Sequence, residues 1–380
     1  MWYMNDERAL VQESAREFAE NEVRPLLHDM EFEDAYPSEL VKRMGELGFT
    51  GLPYPVELGG SGSDWLTYGI VVEEISKVST TAALIMVLNT CMTGMPINMM
   101  GTEEQKEKYL KPCLKGDVNL AIAITEPMGI FNLPEWGTRA VKDGDEWVIN
   151  GQKMFTSSAG QVDYYVVPAL TSDFDPSTGS GVTYFIVPKD TPGVEVGQRE
   201  NKLGWHGSSS CQTFYTDVRV GDEYRLGEVG AGFPQNTLGW AAFECLGFGP
   251  MCLGSAEAAY QTSLEYARGR MYCGTSLFDT HQAVRMMFAE MYLDIESLRG
   301  YVYDTLAKVD VGQECSRDMF GLKIKGAEIQ ERVASKAIMA MGGMGLVKEN
   351  DVERHFRDAK VNAIGGASVQ TLADLIGGML

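Results

Sequence analysis

The sequence predicts an α+β chain in three parts: a helical domain, an all-β domain and a second helical domain. Apolar residues recur at helical spacing towards both ends. Short β-branched and aromatic runs, separated by Gly- and Asp-rich turns, occupy the middle. Helices and strands do not alternate, which argues against a doubly wound parallel sheet. The boundaries are placed at residues 1–118, 119–228 and 229–380.

In the first part, Leu10, Val11, Ala15, Phe18, Ala19 and Val23 mark one helix face. Pro37-Ser38-Glu39-Leu40 reads as a helix start, and Gly45, Gly48 and Gly51 punctuate its end. Glu57 to Gly62 is a loop by composition, and a second helical run covers Leu66 to Val78. Thr102 opens a third over Glu103 to Lys111, with charges for a solvated face. In the middle, Trp147-Val148-Ile149, Asp163 to Val167 and Val182 to Val187 read as strands of a β-barrel or sandwich. From Gly232 onward the helical period returns in three or four long segments.

A net charge of −21 disfavours nucleic acid and anionic membrane surfaces as partners. Composition alone suggests no apolar run long enough to span a bilayer. The first residues are not a basic-then-apolar leader, so no export signal is expected. Seven scattered cysteines without a Cys-x-x-Cys spacing, and only four histidines, argue against a disulfide framework and a zinc site. Reduced thiols in a cytoplasm are the expectation.

Two β-loops carry residues suited to a flavin, which needs a flat apolar shelf and hydrogen-bond partners at its ring edge. Thr125, Phe155, Ser157 and Ser158 suit this role, or else form strand-edge packing with satisfied hydroxyls. Gly342-Gly343-x-Gly345 either lets a backbone approach a diphosphate or simply stops a helix. Arg270 and Arg357 suit either a diphosphate or structural carboxylates.

Taken in order, several strings resemble the flavin-dependent acyl-CoA dehydrogenase family across nearly the whole chain. They are Ala123-Ile124-Thr125-Glu126-Pro127, Asn150-Gly151-Gln152-Lys153-Met154-Phe155 and Lys202-Leu203-Gly204-Trp205-His206-Gly207-Ser208. Arg270-x-x-x-Gly274, His281-Gln282-Ala283, Gly342-Gly343-Met344-Gly345 and Arg357-Asp358-Ala359-Lys360 follow. The resemblance implies FAD, with Arg270, His281, Gln282, Gly342, Gly343 and Ser368 among its contacts. It also implies a C-terminal four-helix bundle, a homotetramer with shared flavin sites and an electron-transferring flavoprotein as partner. Departures are visible. Met128-Gly129-Ile130-Phe131-Asn132 replaces the usual Gly-Ala-Gly-Ser-Asp, and Phe155 replaces a shelf Trp. His206 replaces an Arg, Cys273 a Phe and Met339 a Gln. One extra residue separates Gly274 from Gln282.

The main departure concerns the catalytic base. Most of the family carries a Glu where Gly366 stands; the glycine keeps only the backbone N–H that would bind the thioester oxygen. A minority carries the Glu ten residues before the Gly of a Leu-Gly pair, which here is Glu244 before Leu253-Gly254. Glu244 is the lone acidic residue between Glu228 and Glu257. An isolated carboxylate in an apolar stretch is either paired with an arginine, exposed, or buried with the raised pKa an acid/base needs. This pattern resembles the crotonobetainyl-CoA reductase-like subgroup. The small residues Gly365, Gly366 and Ala367 predict a roomy pocket for a bulky acyl group.

Three functions are compatible with these residues. The first is oxidation of an acyl-CoA, or reduction of an enoyl-CoA, with Glu244 as acid/base. The second is a non-redox lyase such as an acyl-CoA desulfinase. The third is a non-catalytic subunit of a heteromeric complex.

Overall fold

A computed structural model describes residues 1–236 and 246–380. The N-terminal part is helical. Helix α1 (Asp6–Phe18) is capped by Asn5, which accepts from the Arg8 N–H. Helix α2 (Ser38–Glu46) starts just after Pro37. Helix α3 (Trp65–Val78), capped by Asp64, is buried on almost every face and packs against α1. Thr102 forms a capping box with Gln105. Helix α4 (Thr80–Val87) opens a continuous helical stretch to Met100. That stretch corrects one expectation: Thr80–Met100 is long and apolar enough to cross a membrane by length and composition. Its most apolar window is 89% buried inside the protein, as befits a core helix.

The central part is the expected β domain, built as one eight-stranded sheet. The strands are β1 (Leu120–Ile122), β2 (Arg139–Asp143), β3 (Glu146–Ser157), β4 (Tyr164–Asp175), β5 (Ser180–Pro188), β6 (Val194–Arg199), β7 (Ser210–Gly221) and β8 (Arg225–Leu226). Their order is β6-β7-β3-β2-β4-β5-β8, with β1 paired to β4 in parallel. Trp147, Ile149, Tyr165, Val167, Phe185 and Val187 fill one face; Val166, Tyr184 and Ile186 point the other way, into the core of the N-terminal helices.

Among the described residues of the C-terminal part are four long helices, α5 (Phe248–Gly269), α6 (Gln282–Asp310), α7 (Ser316–Met341) and α8 (Val352–Ile364), followed by α9 (Val369–Gly378). Helix α5 lies tight against α3. A Cβ on Gly254 would stand 2.2 Å from the Glu73 carbonyl oxygen, so only glycine permits this approach. The same junction holds a buried charge cluster. Arg299 donates to Glu73 at 2.7 Å and to Glu257 at 3.0 Å, and the Tyr303 hydroxyl also donates to Glu73. Burial pushes the Glu73 carboxyl above its usual range, against the pull of Lys77 and Arg299. The N-terminal and C-terminal helices thus share one interior.

Candidate active site

The site begins with a buried ion pair that clamps two loops together. Lys153, 0% exposed, donates to Glu126 at 2.8 Å and to the Ile124 carbonyl at 3.2 Å. Its ammonium lies 3.9 Å from the centre of the Trp136 ring. Glu126 also accepts the backbone N–H groups of Gly137 and Thr138, so its oxygens are satisfied. Burial pulls the Lys153 ammonium down to about 8, with Glu126 opposing. The pair explains the Glu of Thr125-Glu126-Pro127 and the Lys of Asn150-Gly151-Gln152-Lys153 together.

Two β-bulges then aim the side chains. Between Ile149 and Gly151 the extra residue falls in β7, where Asp217 exchanges hydrogen bonds with Asn150. Between Lys153 and Thr156 it falls in β3 itself: Lys153 pairs with Thr213 and Thr156 with Cys211. Phe155 sits on this second bulge with φ +54°. That left-handed backbone is costly for an aromatic residue, and it turns the ring off the ladder. The ring is 56% exposed. It faces a cavity of about 350 Å³.

Thr125, Phe155, Ser157 and Gly366 all line this cavity. The same four border a smaller one of about 70 Å³, closed by Leu84, Leu88 and Met92 from the N-terminal helices. Neither the Thr125 nor the Ser157 hydroxyl makes a hydrogen bond among the described residues. An open aromatic face beside two unpartnered hydroxyls fits the face and edge of a flat heteroaromatic ring. Lys202 borders the larger cavity and donates to the Ser208 carbonyl at 2.6 Å; burial lowers its pKa.

Trp205 forms a wall of both cavities, also with a left-handed backbone, φ +56°. Its N–H donates to Asp358 at 2.8 Å and its indole N–H to Asn362 at 2.9 Å. A buried chain continues behind it. Asn362 donates to Gln330 at 2.7 Å, and Gln330 to Ser255 at 2.7 Å. The Ser255 hydroxyl proton is thereby left for His355 Nδ1, 2.8 Å away. Burial and the neighbouring Arg354, Arg24 and Arg357 hold the His355 imidazole well below its ordinary range, so it is neutral, as the acceptor role requires.

Trp205 corrects the expectation of a roomier pocket at Gly365. A Cβ there would meet the indole at 2.5 Å, so the ring fills the space the glycine leaves. Gly366 has φ +72°, and its N–H makes no hydrogen bond to a described residue. Ser158 is buried beside the site, its N–H bonded to the Ser209 carbonyl, and does not line either cavity. Ser368 caps α9 by accepting from the Thr371 N–H. Arg357 is structural, paired with Glu31 at 2.8 Å and Glu353 at 2.6 Å.

Arg270, His281, Gln282, Gly342 and Gly343 line neither cavity. Arg270 donates to the Tyr266 hydroxyl, and His281 Nδ1 is buried without a partner among the described residues. Gly342 and Gly343 have open space where a Cβ would stand. Glu244 lies outside the described residues. Among those described, no three His, Cys, Asp or Glu side chains gather as a metal site.

Comparison with known proteins covers the whole chain. Residues 5–117, 121–218 and 230–378 match the N-terminal, middle and C-terminal domain models of acyl-CoA dehydrogenase. The chain is 38% identical over 371 residues to the short-chain specific acyl-CoA dehydrogenase of Clostridium acetobutylicum, covering 96% of each. It is 34% identical to the caffeyl-CoA reductase-Etf complex subunit CarC of Acetobacterium woodii, covering 100% of this chain and 99% of that one. Butyryl-CoA dehydrogenase from Megasphaera elsdenii superposes with a TM-score of 0.93 at 31% identity, covering 99% and 98%.

Two outcomes test this geometry. Lys153→Met leaves Glu126 buried without its cation, and is expected to cost about 3–5 kcal/mol in urea unfolding. Adding Glu126→Gln to that variant should recover part of the loss. For His355, the folded pKa is depressed, so the unfolded chain binds more protons below the ordinary value of 6.5. Its share of stability is present above that pH and is lost as pH falls. His355→Asn should flatten the acid limb of stability against pH by up to about 1.4 kcal/mol per pH unit.

Proposed function

The chain belongs to the acyl-CoA dehydrogenase family, and on that premise we propose that it oxidises an acyl-CoA to the α,β-enoyl-CoA or runs the reverse reduction. The observation that carries this reading is the cavity where Phe155, Thr125, Ser157 and Gly366 meet. When bound there, FAD supplies the two-electron hydride chemistry at the substrate β-carbon.

Each residue then has a task. Phe155 is the shelf on which the ring system lies, and the Thr125 and Ser157 hydroxyls bind its edge. The Gly366 N–H donates to the thioester oxygen, stabilising the enolate-like charge that develops as the α-proton leaves. Glu244 takes that proton in oxidation and returns it in reduction. Leu84, Leu88 and Met92 enclose the acyl end and keep water away. Arg270, His281, Gln282, Gly342 and Gly343 contact the cofactor of a neighbouring subunit in a homotetramer. A relative named as part of an Etf complex supports an electron-transferring flavoprotein as the redox partner.

The test is a visible spectrum of the flavin-loaded protein titrated with acyl-CoA and enoyl-CoA esters under argon. Bleaching by an acyl-CoA, or reoxidation of the reduced protein by an enoyl-CoA, is the expected result. A flavin spectrum unchanged by every ester would refute the proposal. Glu244→Gln should retain flavin while α-hydrogen exchange in deuterium oxide falls by about 10²–10⁴-fold.

A further inference from the structure

Behind the Gly366 turn stands a buried cation that the reaction as set out above does not use. Lys323, on α7, is 0% exposed. Its ammonium donates to the Ala367 carbonyl at 2.6 Å and to the Gly365 carbonyl. It also lies 4.0 Å from the centre of the Phe248 ring. The two carbonyls it holds flank Gly366. In a planar trans peptide the C=O and N–H point in opposite directions. Fixing the Gly365 carbonyl on Lys323 therefore turns the Gly366 N–H to the opposite side of the turn, and Gly366 is the turn residue that borders both cavities.

A cation here does more than a neutral brace. A hydrogen bond from an ionised donor is about twice as strong as a neutral one. Hydrogen bonds in series polarise one another, so a charge on the Gly365 oxygen sharpens the N–H on the far side of the same peptide.

We propose that Lys323 is a positioning residue for the thioester: its cation aims the Gly366 N–H into the cavity and strengthens it as a donor to the substrate carbonyl oxygen. This role rests on the acyl-CoA reading of the cavity.

The test is isotope-edited infrared spectroscopy of the thioester carbonyl of crotonyl-CoA bound to the flavin-loaded protein. In the wild type the stretch should fall below its value in water. In Lys323→Gln, which keeps a donor without the charge, it should return towards the value in water. The same variant should lose about tenfold or more in kcat with KM nearly unchanged, since the lost interaction strengthens in the transition state. Lys323→Arg, which keeps the charge, should retain most of the shift. A wild-type stretch no lower than in water overturns the role without recourse to any variant. So does a Lys323→Gln protein that keeps the wild-type shift, even with a lowered melting temperature. Wild-type protein that binds no CoA thioester overturns the acyl-CoA reading and this role with it. Wild-type turnover beside a Lys323→Gln spectrum that keeps the wild-type shift overturns the role of Lys323 alone.

Discussion

The buried contact between Lys153 and Glu126 is the constraint around which the site is arranged. Two charges are removed from water together, and every oxygen of the carboxylate finds a donor. The contact fixes the Thr125 loop on the long strand β3 and sets the register at which that strand must bulge. The bulge releases Phe155 from the ladder, and the ring becomes the floor of the cavity. Beside the clamp, the Met154 N–H donates to the Thr125 carbonyl at 2.7 Å and ties the same loop to β3.

The opposite wall depends on a different kind of order. Trp205 is held by its backbone on Asp358 and by its indole on Asn362, and the polar chain behind Asn362 runs through three helices to His355. Such a network specifies one arrangement only when each member is satisfied. The wall is therefore made by the C-terminal helices although Trp205 belongs to the β domain. The Glu73, Arg299 and Glu257 cluster performs the corresponding task between the two helical parts.

Much of the fold was legible in the sequence. Helical periodicity marked α1 and α3, Thr102 marked a helix start, and β-branched and aromatic runs marked the long strands. Thr125, Phe155, Ser157 and Gly366, singled out from short contiguous strings, meet at one cavity. What escaped was non-local. Lys153 and Lys323 are single lysines whose partners lie 27 and 42 residues away or more, and nothing in the local pattern marks a lysine as buried. Trp205 was visible as part of a string, but its collision with Gly365 needs the fold to bring residues 160 apart together. Of the two readings open for Arg357, the structure shows the pairing with carboxylates.

The close seating of Trp205 on Gly365 limits what the turn can accept. Two features now oppose side chains there. Gly366 adopts a backbone that costs an L-residue about 1–2 kcal/mol, and its neighbour is pinned beneath an indole. A side chain at 365 would first need a smaller residue at 205. The two positions are thus coupled across 160 residues of chain: neither can be enlarged unless the other gives way.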